Sequence, residues 1–398
     1  MNKLNITIIG AGPIGLYIAI LLKQRKDNEY INITLIEKRD CTNYIRENIV
    51  ALPMTEIIRI FPMDLFKKLI KHGCYRKTAV NKCYKSIQKL FIIPLNKLEQ
   101  ECFDYIKNDI TIINSDKISS KILNKSNIII GTSGCKDYVG KMFLNAKLRE
   151  YRKYYGMGVL FEPSQYNIYN EATHSNKSIP LRYAIFPTKK TNRYYMGISI
   201  SKKTYDILCN TNECDYKLVH TIPKELNKII KNGLAFYNVN QYKNLSIFPI
   251  GIDLNYMEPS IKTVTINNKK KLCVLIGDNL FTHHFFSGAG IISGFKCAYL
   301  LNKYINTTYK RGYKPGIIKR YKTYVTNLRK KKWSSYANNI VIPFDEIEKL
   351  TKNISRDRLN KIAEQNNIPY SKLNKLELAF VLGCKNIPEC KGNKFARA

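Results

Sequence analysis

Three stretches of the sequence predict an α/β fold in which a parallel βαβ sheet carries an inserted, mostly antiparallel second sheet and a helical C-terminal tail. First, "LNITIIGAGPIGLYIAILLK" (4–23) runs from a short β-branched segment through a Gly-rich turn into an apolar helix, and "INITLIEKRD" (31–40) supplies the next strand. Strand, helix and strand in such close succession form a βαβ unit, which favours a parallel sheet. Second, residues 158–265 change to alternating, aromatic-rich segments such as "RYAIFPTKKTNRYYMGISI", the pattern of antiparallel strands. Third, "KKLCVLIGDNL" (270–280) returns to the buried-strand style, followed by a Gly-rich turn and a helix from about Ile291 to Tyr304.

The remaining elements fall between these. Residues 54–73 and 87–107 read as helices, with Gly73 as a cap. "KSNIIIGTSG" (125–134) is a buried strand entering a turn, 316–337 is basic and helical, and 345–398 is a separate Lys-rich helical tail.

Composition narrows the function classes. The chain has 398 residues, 44% of them hydrophobic, with 28 Tyr and 16 Phe, which suits a large buried core and excludes global disorder. Lys and Arg number 66 against 30 Asp and Glu, a formal charge of +36. Such a field attracts nucleic acid, anionic membranes or acidic proteins. AT-rich coding, as in a large DNA virus or a protist, accounts for the plentiful Lys, Ile, Asn and Tyr but less well for the scarce acids. The eleven cysteines include no C-x-x-C pair, which argues against a zinc knuckle and for reduced thiols in a cytoplasm (host cytoplasm or virion for a viral protein).

The uncharged run Ile6–Leu22 after Lys3 has the outline of a secretory signal, but no small-residue cleavage site follows it. It fits a dinucleotide-binding, Rossmann-like turn better. In G-x-G-x-x-G the first glycine makes the turn, the second lets a diphosphate approach the backbone, and the third lets helix and strand pack closely. These are Gly10, Gly12 and Gly15, and the helix N-terminus behind them favours phosphate. Glu37 ends the second strand twenty-two residues beyond Gly15, where a carboxylate accepts from an adenosine ribose hydroxyl. The motif alone leaves FAD and NAD open, and nothing else in the chain approaches the length needed to span a membrane.

Two further segments bear on that choice. "LIEKRD" with "IRENIVALPMTEI", and "CVLIGDNLFTHHFFSGAGIISGFKCAYLL" (273–301), resemble the class A FAD-dependent monooxygenases of the para-hydroxybenzoate hydroxylase type. The segment "RENIVALP" is also similar, more loosely, to the MICAL monooxygenases. The resemblance implies that Arg46 contacts FAD. It implies that Gly277 and Asp278 meet the flavin ribityl chain, and that Gly288 and Gly290 form the turn under the isoalloxazine ring. His283 and His284 would then lie beside the flavin, as candidates for proton transfer or a covalent flavin link. The family's middle fingerprint is altered: in "IIIGTSGCKDYVGK" Ser133 stands where Asp is expected and Gly140 where Arg is usual, which bears on NADPH use.

On this basis FAD-binding segments are expected at about 1–75, 108–150 and 268–344, with the substrate-side sheet at about 158–265 and a basic, SAP-like tail at 345–398. The activity implied is that of an FAD-dependent oxidoreductase, a monooxygenase. NADPH or NADH would reduce the flavin, and O₂ would supply an oxygen atom to a small molecule or a protein side chain such as methionine. The alternative is a basic, nucleic-acid-associated protein, virion-borne in the viral case, that keeps the flavoprotein fold with little or no turnover. The charge, Ser133 and the tail favour it. On the inserted sheet, alternation at Tyr194 and Tyr195 sends one ring to each face.

Overall fold

The structure, a computed structural model, describes residues 3–387 except 42, 47, 55–56, 58–59, 80–86, 135–138, 165–182, 189–192, 211–221, 237–238, 284–288, 331–348, 350, 367–370, 372–374, 376–377, 380–381 and 383–386. His284 and Gly288 lie outside the described residues, as does most of the tail.

The first layer is a six-stranded sheet. Its strands are β1 (Leu4–Ile9), β2 (Ile31–Glu37), β6 (Thr111–Asn114), β7 (Ile128–Gly131), β12 (Ile261–Ile266) and β13 (Lys269–Leu275), in the order β12-β13-β7-β1-β2-β6. All neighbours run parallel except the antiparallel pair β12 and β13. β1 sits at the centre, with Ile6 opposite Ile33 on one side and Ile128 on the other. That placement explains its uninterrupted apolar run, since a parallel strand covered on both faces has no solvent side to make polar. Fully buried Ile6, Ile8 and Leu35 each contribute about 1.5–3 kcal/mol of burial.

Helices α1 (Pro13–Lys23), α3 (Leu95–Ile106) and α7 (Ala289–Tyr304) pack together over this sheet. Tyr17 of α1 and Phe295 of α7 have ring centroids 4.5 Å apart, and Phe61 meets both edge-on. α8 (Ile317–Leu328) closes the β13 side, where the Tyr321 hydroxyl donates to the Leu275 carbonyl at 2.7 Å.

The second sheet is antiparallel, in the order β11-β8-β10-β9, from β8 (Lys147–Pro163), β9 (Tyr183–Thr188), β10 (Arg193–Ser199) and β11 (Tyr242–Glu258). It begins earlier than the alternation suggested, because "KLREYRKYY" hides the start of a long strand among charges. Residues 261–266 belong instead to the first sheet. Helices α5 (Lys202–Asn210) and α6 (Lys224–Phe236) supply the core against one face, where Tyr194 lies buried with Phe161 and Met196. Tyr195 lies on the other face, stacked on Phe248 and clustered with Leu160, Ile250 and Ile49.

Two expected helices are revised. Residues 87–107 split into β5 (Ile87–Pro94) and α3, because Pro94 disfavours helical backbone at Ile93 and can serve only at a helix start. The aromatic and β-branched "FII" then packs as a strand, with Phe91 and Ile93 fully buried. Residues 54–73 break at Phe61–Pro62, and Pro62 takes the cap position of α2 (Met63–His72). β5 joins β3 (Ile49–Pro53) and β4 (Cys74–Ala79) in a three-stranded antiparallel sheet, order β3-β5-β4, that the sequence did not disclose. In the tail the described residues hold α9 (Arg356–Gln365), started by the Ser355 hydroxyl accepting from Arg358 N–H at 3.1 Å.

One close contact fixes how α1 meets β1. A Cβ added at Gly15 would lie 1.9 Å from the Gly10 carbonyl oxygen and 2.7 Å from Thr132 Oγ1, whereas one at Gly12 meets nothing nearer than 3.8 Å. Gly15→Ala should therefore cost about 2–3 kcal/mol in urea unfolding, while Gly12→Ala should cost about 1 kcal/mol or less.

Candidate functional site

The loops at the carboxyl ends of β1, β2, β7 and β13 meet in one crevice, the position where open α/β sheets bind ligands. The β1–α1 turn forms one wall. Gly10 has φ +109, and a Cβ there would strike the Thr132 carbonyl at 2.6 Å. Gly12 caps α1 without a side-chain hydrogen bond, Pro13 follows, and the first turn carries no acid, so its backbone N–H groups are open to an anion.

Glu37 is buried at the end of β2 and is fully occupied. Its Oε2 accepts from Ala11 N–H at 2.7 Å and from Arg39 Nη2 at 2.9 Å; its Oε1 accepts from Arg39 N–H at 3.0 Å and Nε at 3.1 Å. Those four bonds use the acceptor positions of a carboxylate. Burial alone raises its pKa, but the Arg39 bonds and charge outweigh this and leave it lowered. Glu37 thus pins the G-x-G turn to β2, and a ribose hydroxyl here would take the place of the half-exposed Arg39 side chain.

Arg46 approaches the same turn from the segment before β3. Its Nη2 pairs with Glu99 of α3, and its buried Nε has no hydrogen-bond partner. A Cβ on Gly12 would lie 3.9 Å from Arg46 Nη2 and 3.8 Å from Glu99 Oε1, so both side chains abut the turn. Tyr44 donates from its hydroxyl to the Ala11 carbonyl at 3.1 Å, and Arg39 lies 5.7 Å from its ring centroid.

The far wall comes from the turn Gly277–Asn279 and the start of α7. Ile14 joins the walls, lying against Gly277 and Gly294 while belonging to α1. Asp278 is exposed to solvent and stands beside Gly290 at the start of this turn. The surrounding protein pushes its carboxyl up to about 6, opposed only by Arg46. Gly290 lies beside it, with a built Cβ 3.7 Å from both Asp278 Oδ1 and His283 Cβ.

His283 packs against Phe281 at 5.1 Å, its Nε2 lies 3.3 Å from Ser293 Oγ, and its buried Nδ1 has no partner. Burial lowers its pKa to about 4, partly offset by the nearby Phe281 backbone, so the ring is neutral at pH 7. Ser133 lies at the end of β7, and Asn279 Nδ2 donates to its hydroxyl at 3.3 Å. Gly140 is buried at the start of the short helical turn Gly140–Leu144. No cluster of potential metal ligands occurs among the described residues, and no helix among them is long and apolar enough to cross a membrane.

Gly10, Gly12, Gly15, Glu37, Arg46, Gly277, Asp278, Gly290 and His283 thus gather around one crevice. Sequence reasoning missed Glu99, although a signal existed. Glu99 falls on the buried stripe Leu95, Glu99, Cys102, Ile106 of a helical pattern, and an acid on an apolar stripe needs a reason.

The chain has the fold of the FAD-dependent monooxygenases. It is similar to p-nitrophenol 4-monooxygenase from Pseudomonas putida DLL-E4 at 10% identity and a TM-score of 0.59, over 99% of this chain and 100% of the other. It is similar to 2-methyl-3-hydroxypyridine-5-carboxylic acid oxygenase at 12% identity and a TM-score of 0.56, over 89% and 94% of the two chains. A third match, the Diels-Alderase PyrE3 of pyrroindomycin biosynthesis, has 11% identity and a TM-score of 0.56, over 94% of this chain and 80% of its own. No protein-family model and no curated protein sequence matches the chain. The structural matches lend no support to the nucleic-acid alternative.

Asp278 and His283 pull stability in opposite directions with pH. The unfolded carboxyl releases its proton near pH 3.8 while folded Asp278 keeps it to about 6, so this group lowers stability as pH rises through that window. The unfolded imidazole takes a proton near 6.5 while folded His283 refuses one down to about 4, so this group lowers stability as pH falls through its window. Asp278→Asn should raise the melting midpoint at pH 8 but not at pH 3, and His283→Asn should shrink the loss between pH 7 and 4. Thermal unfolding across that range checks both.

Proposed function

We propose that the chain is an FAD-dependent oxidoreductase, specifically a monooxygenase drawing electrons from NADPH or NADH and an oxygen atom from O₂. One observation carries this reading: residues suited to the two ends of a flavin dinucleotide converge on a single crevice at the carboxyl edge of the parallel sheet. The crevice fits the cofactor in its chemistry. It offers open amides at the α1 N-terminus, a guanidinium nitrogen with no partner at Arg46, and a solvent-open carboxyl at Asp278. Bound there, the flavin would supply the two-electron and oxygen chemistry, and the protein would supply position and electrostatics.

The residues divide that work. The α1 N-terminus and Arg46 hold the diphosphate. Asp278 accepts from ribityl hydroxyls, which requires its ionised form and so improves above about pH 6. The N-terminal end of α7 faces the ring and favours negative charge on it. His283, neutral and with Nδ1 unpartnered, accepts or returns a proton next to Gly290. The substrate is an electron-rich small molecule or a protein side chain. Residues 1–344 then form one flavoprotein region, with 345–398 appended.

The Diels-Alderase match is a reminder that this fold also carries chemistry without oxygen transfer, so redox turnover needs a direct assay. The purified full chain should be yellow, bleach with NADPH or NADH under anaerobic conditions, and recover its colour with O₂. Asp278→Ala should lower flavin content at least about tenfold, the worth of one hydrogen bond to a charged group. Unchanged flavin content in that variant would overturn the assignment of Asp278.

A further inference from the structure

Glu99 is a fully buried carboxyl beside the crevice turn, and in its ionised form it competes with a diphosphate. Its Oε1 pairs with Arg46 Nη2 and stands 4.0 Å from Arg39 Nη1, and its Oε2, also buried, has no hydrogen-bond partner. Oε1 also abuts Gly12, at the helix N-terminus that would receive phosphate. The first turn of α1 contains no acid, so the negative charge beside it comes from the neighbouring helix α3. An ionised Glu99 and a bound diphosphate would compete for the same guanidinium and repel one another.

Resting on the FAD reading above, we propose that Glu99 couples dinucleotide binding to proton uptake. It holds Arg46 by the pairing seen here, and on binding it takes a proton from solvent and yields Arg46 to the diphosphate. The ligand class is a dinucleotide bridged by a diphosphate, whose oxygens replace the Glu99 carboxylate as acceptors for Arg46.

The surroundings of Glu99 allow that exchange. Arg46, from the segment before β3, and Arg39, beyond β2, favour its ionised form, whereas burial and the nearby Glu37 disfavour it, and the balance lies upward. Tyr44, beside Arg39, and Cys102, one turn along α3, are both held neutral by burial and bring no opposing charge. A diphosphate arriving beside Glu99 pushes its carboxyl further up. The bound protein therefore holds a proton that the free protein releases, and affinity falls as pH rises through that interval, by at most about tenfold per pH unit for one proton. Protonated Glu99 has an O–H to donate, which also gives its unpartnered oxygen a role.

The test is FAD binding to the flavin-stripped full chain, followed by flavin fluorescence from pH 6.5 to 9 in wild type, Glu99→Gln and Asp278→Asn. Calorimetry on wild type, in buffers of different ionisation enthalpy, counts protons. Wild type should bind more weakly as pH rises and take up a fraction of a proton approaching one. Glu99→Gln, which keeps the shape and a donor but cannot titrate, should bind with a flat profile and at least about tenfold tighter than wild type at pH 9. Asp278→Asn should bind more weakly but keep the wild-type slope. A pH-independent wild-type affinity with no proton uptake, or an unchanged slope in Glu99→Gln, overturns the coupling and leaves the FAD reading standing. The calorimetric count needs no variant, so it decides the matter even if Glu99→Gln fails to fold. No FAD binding by any form at any pH overturns both readings.

Discussion

The whole crevice hangs on the contact between Gly15 and the Gly10 carbonyl. With no room for even one carbon between them, α1 leaves β1 at an angle set by backbone against backbone. That angle brings Gly12 and the open amides of α1 over the carboxyl edge of the sheet. The Ala11 N–H to Glu37 bond then ties the turn sideways to β2, and from the β7 side Thr132 Oγ1 shares its one proton between the Ile9 and Gly10 carbonyls, at 3.0 and 2.8 Å. Three neighbouring strands thus hold one tight turn, and Ile14, one residue short of Gly15, reaches across to Gly277 and Gly294. The relative placement of the two ends of the crevice follows from the same contact.

The electrostatics are organised around the same turn by two groups of acids of different character. Glu37 is ionised and saturated, a structural acid whose lowered pKa reports the quality of its hydrogen bonds. Glu99 and Asp278 have raised values and unsatisfied or solvent-open oxygens, so they remain available to a ligand. Acids whose environments divide in this way mark functional positions more often than structural ones. The orphaned Nε of Arg46 and Nδ1 of His283 point the same way, because a native chain seldom leaves buried polar atoms unpaired without cause.

Much of the fold was legible because the parallel sheet and the Gly-rich turn leave strong local marks. β1, α1, β2, β7 and β13 follow from unbroken β-branched runs and from Gly10, Gly12 and Gly15. The three-stranded sheet was not legible. The run from Ile87 to Ile106 has a helical apolar period in its second half, and Pro94 is the only local sign that the chain changes state there. Likewise the charged opening of β8 obscures an alternation that its pairing with β11 enforces. Local pattern yields when long-range pairing supplies more burial than the local preference costs. At the site, residues within motifs could be named, whereas the pattern marks Glu99 only as an acid on an apolar stripe, since its importance arises from a tertiary approach to Gly12. Nothing at position 99 itself announces that neighbour.

The antiparallel sheet presents two unlike faces. Its first face is spent on core packing against α5 and α6, with Tyr194 buried among Phe161 and Met196. Among the described residues the second gathers Leu160, Tyr195, Phe248 and Ile250, joined by Ile49. That face is covered by Ile49 of β3, with β5 beside β9, so the unpaired imidazole nitrogen lies elsewhere, at the crevice edge. There His283 is neutral at pH 7 with Nδ1 unpaired, while Ser293 stands by its Nε2 and limits the ring's freedom to turn. The two regions therefore differ in kind: an apolar face closed by packing, and a crevice edge where a neutral imidazole and a carboxyl of raised pKa stand beside Gly290.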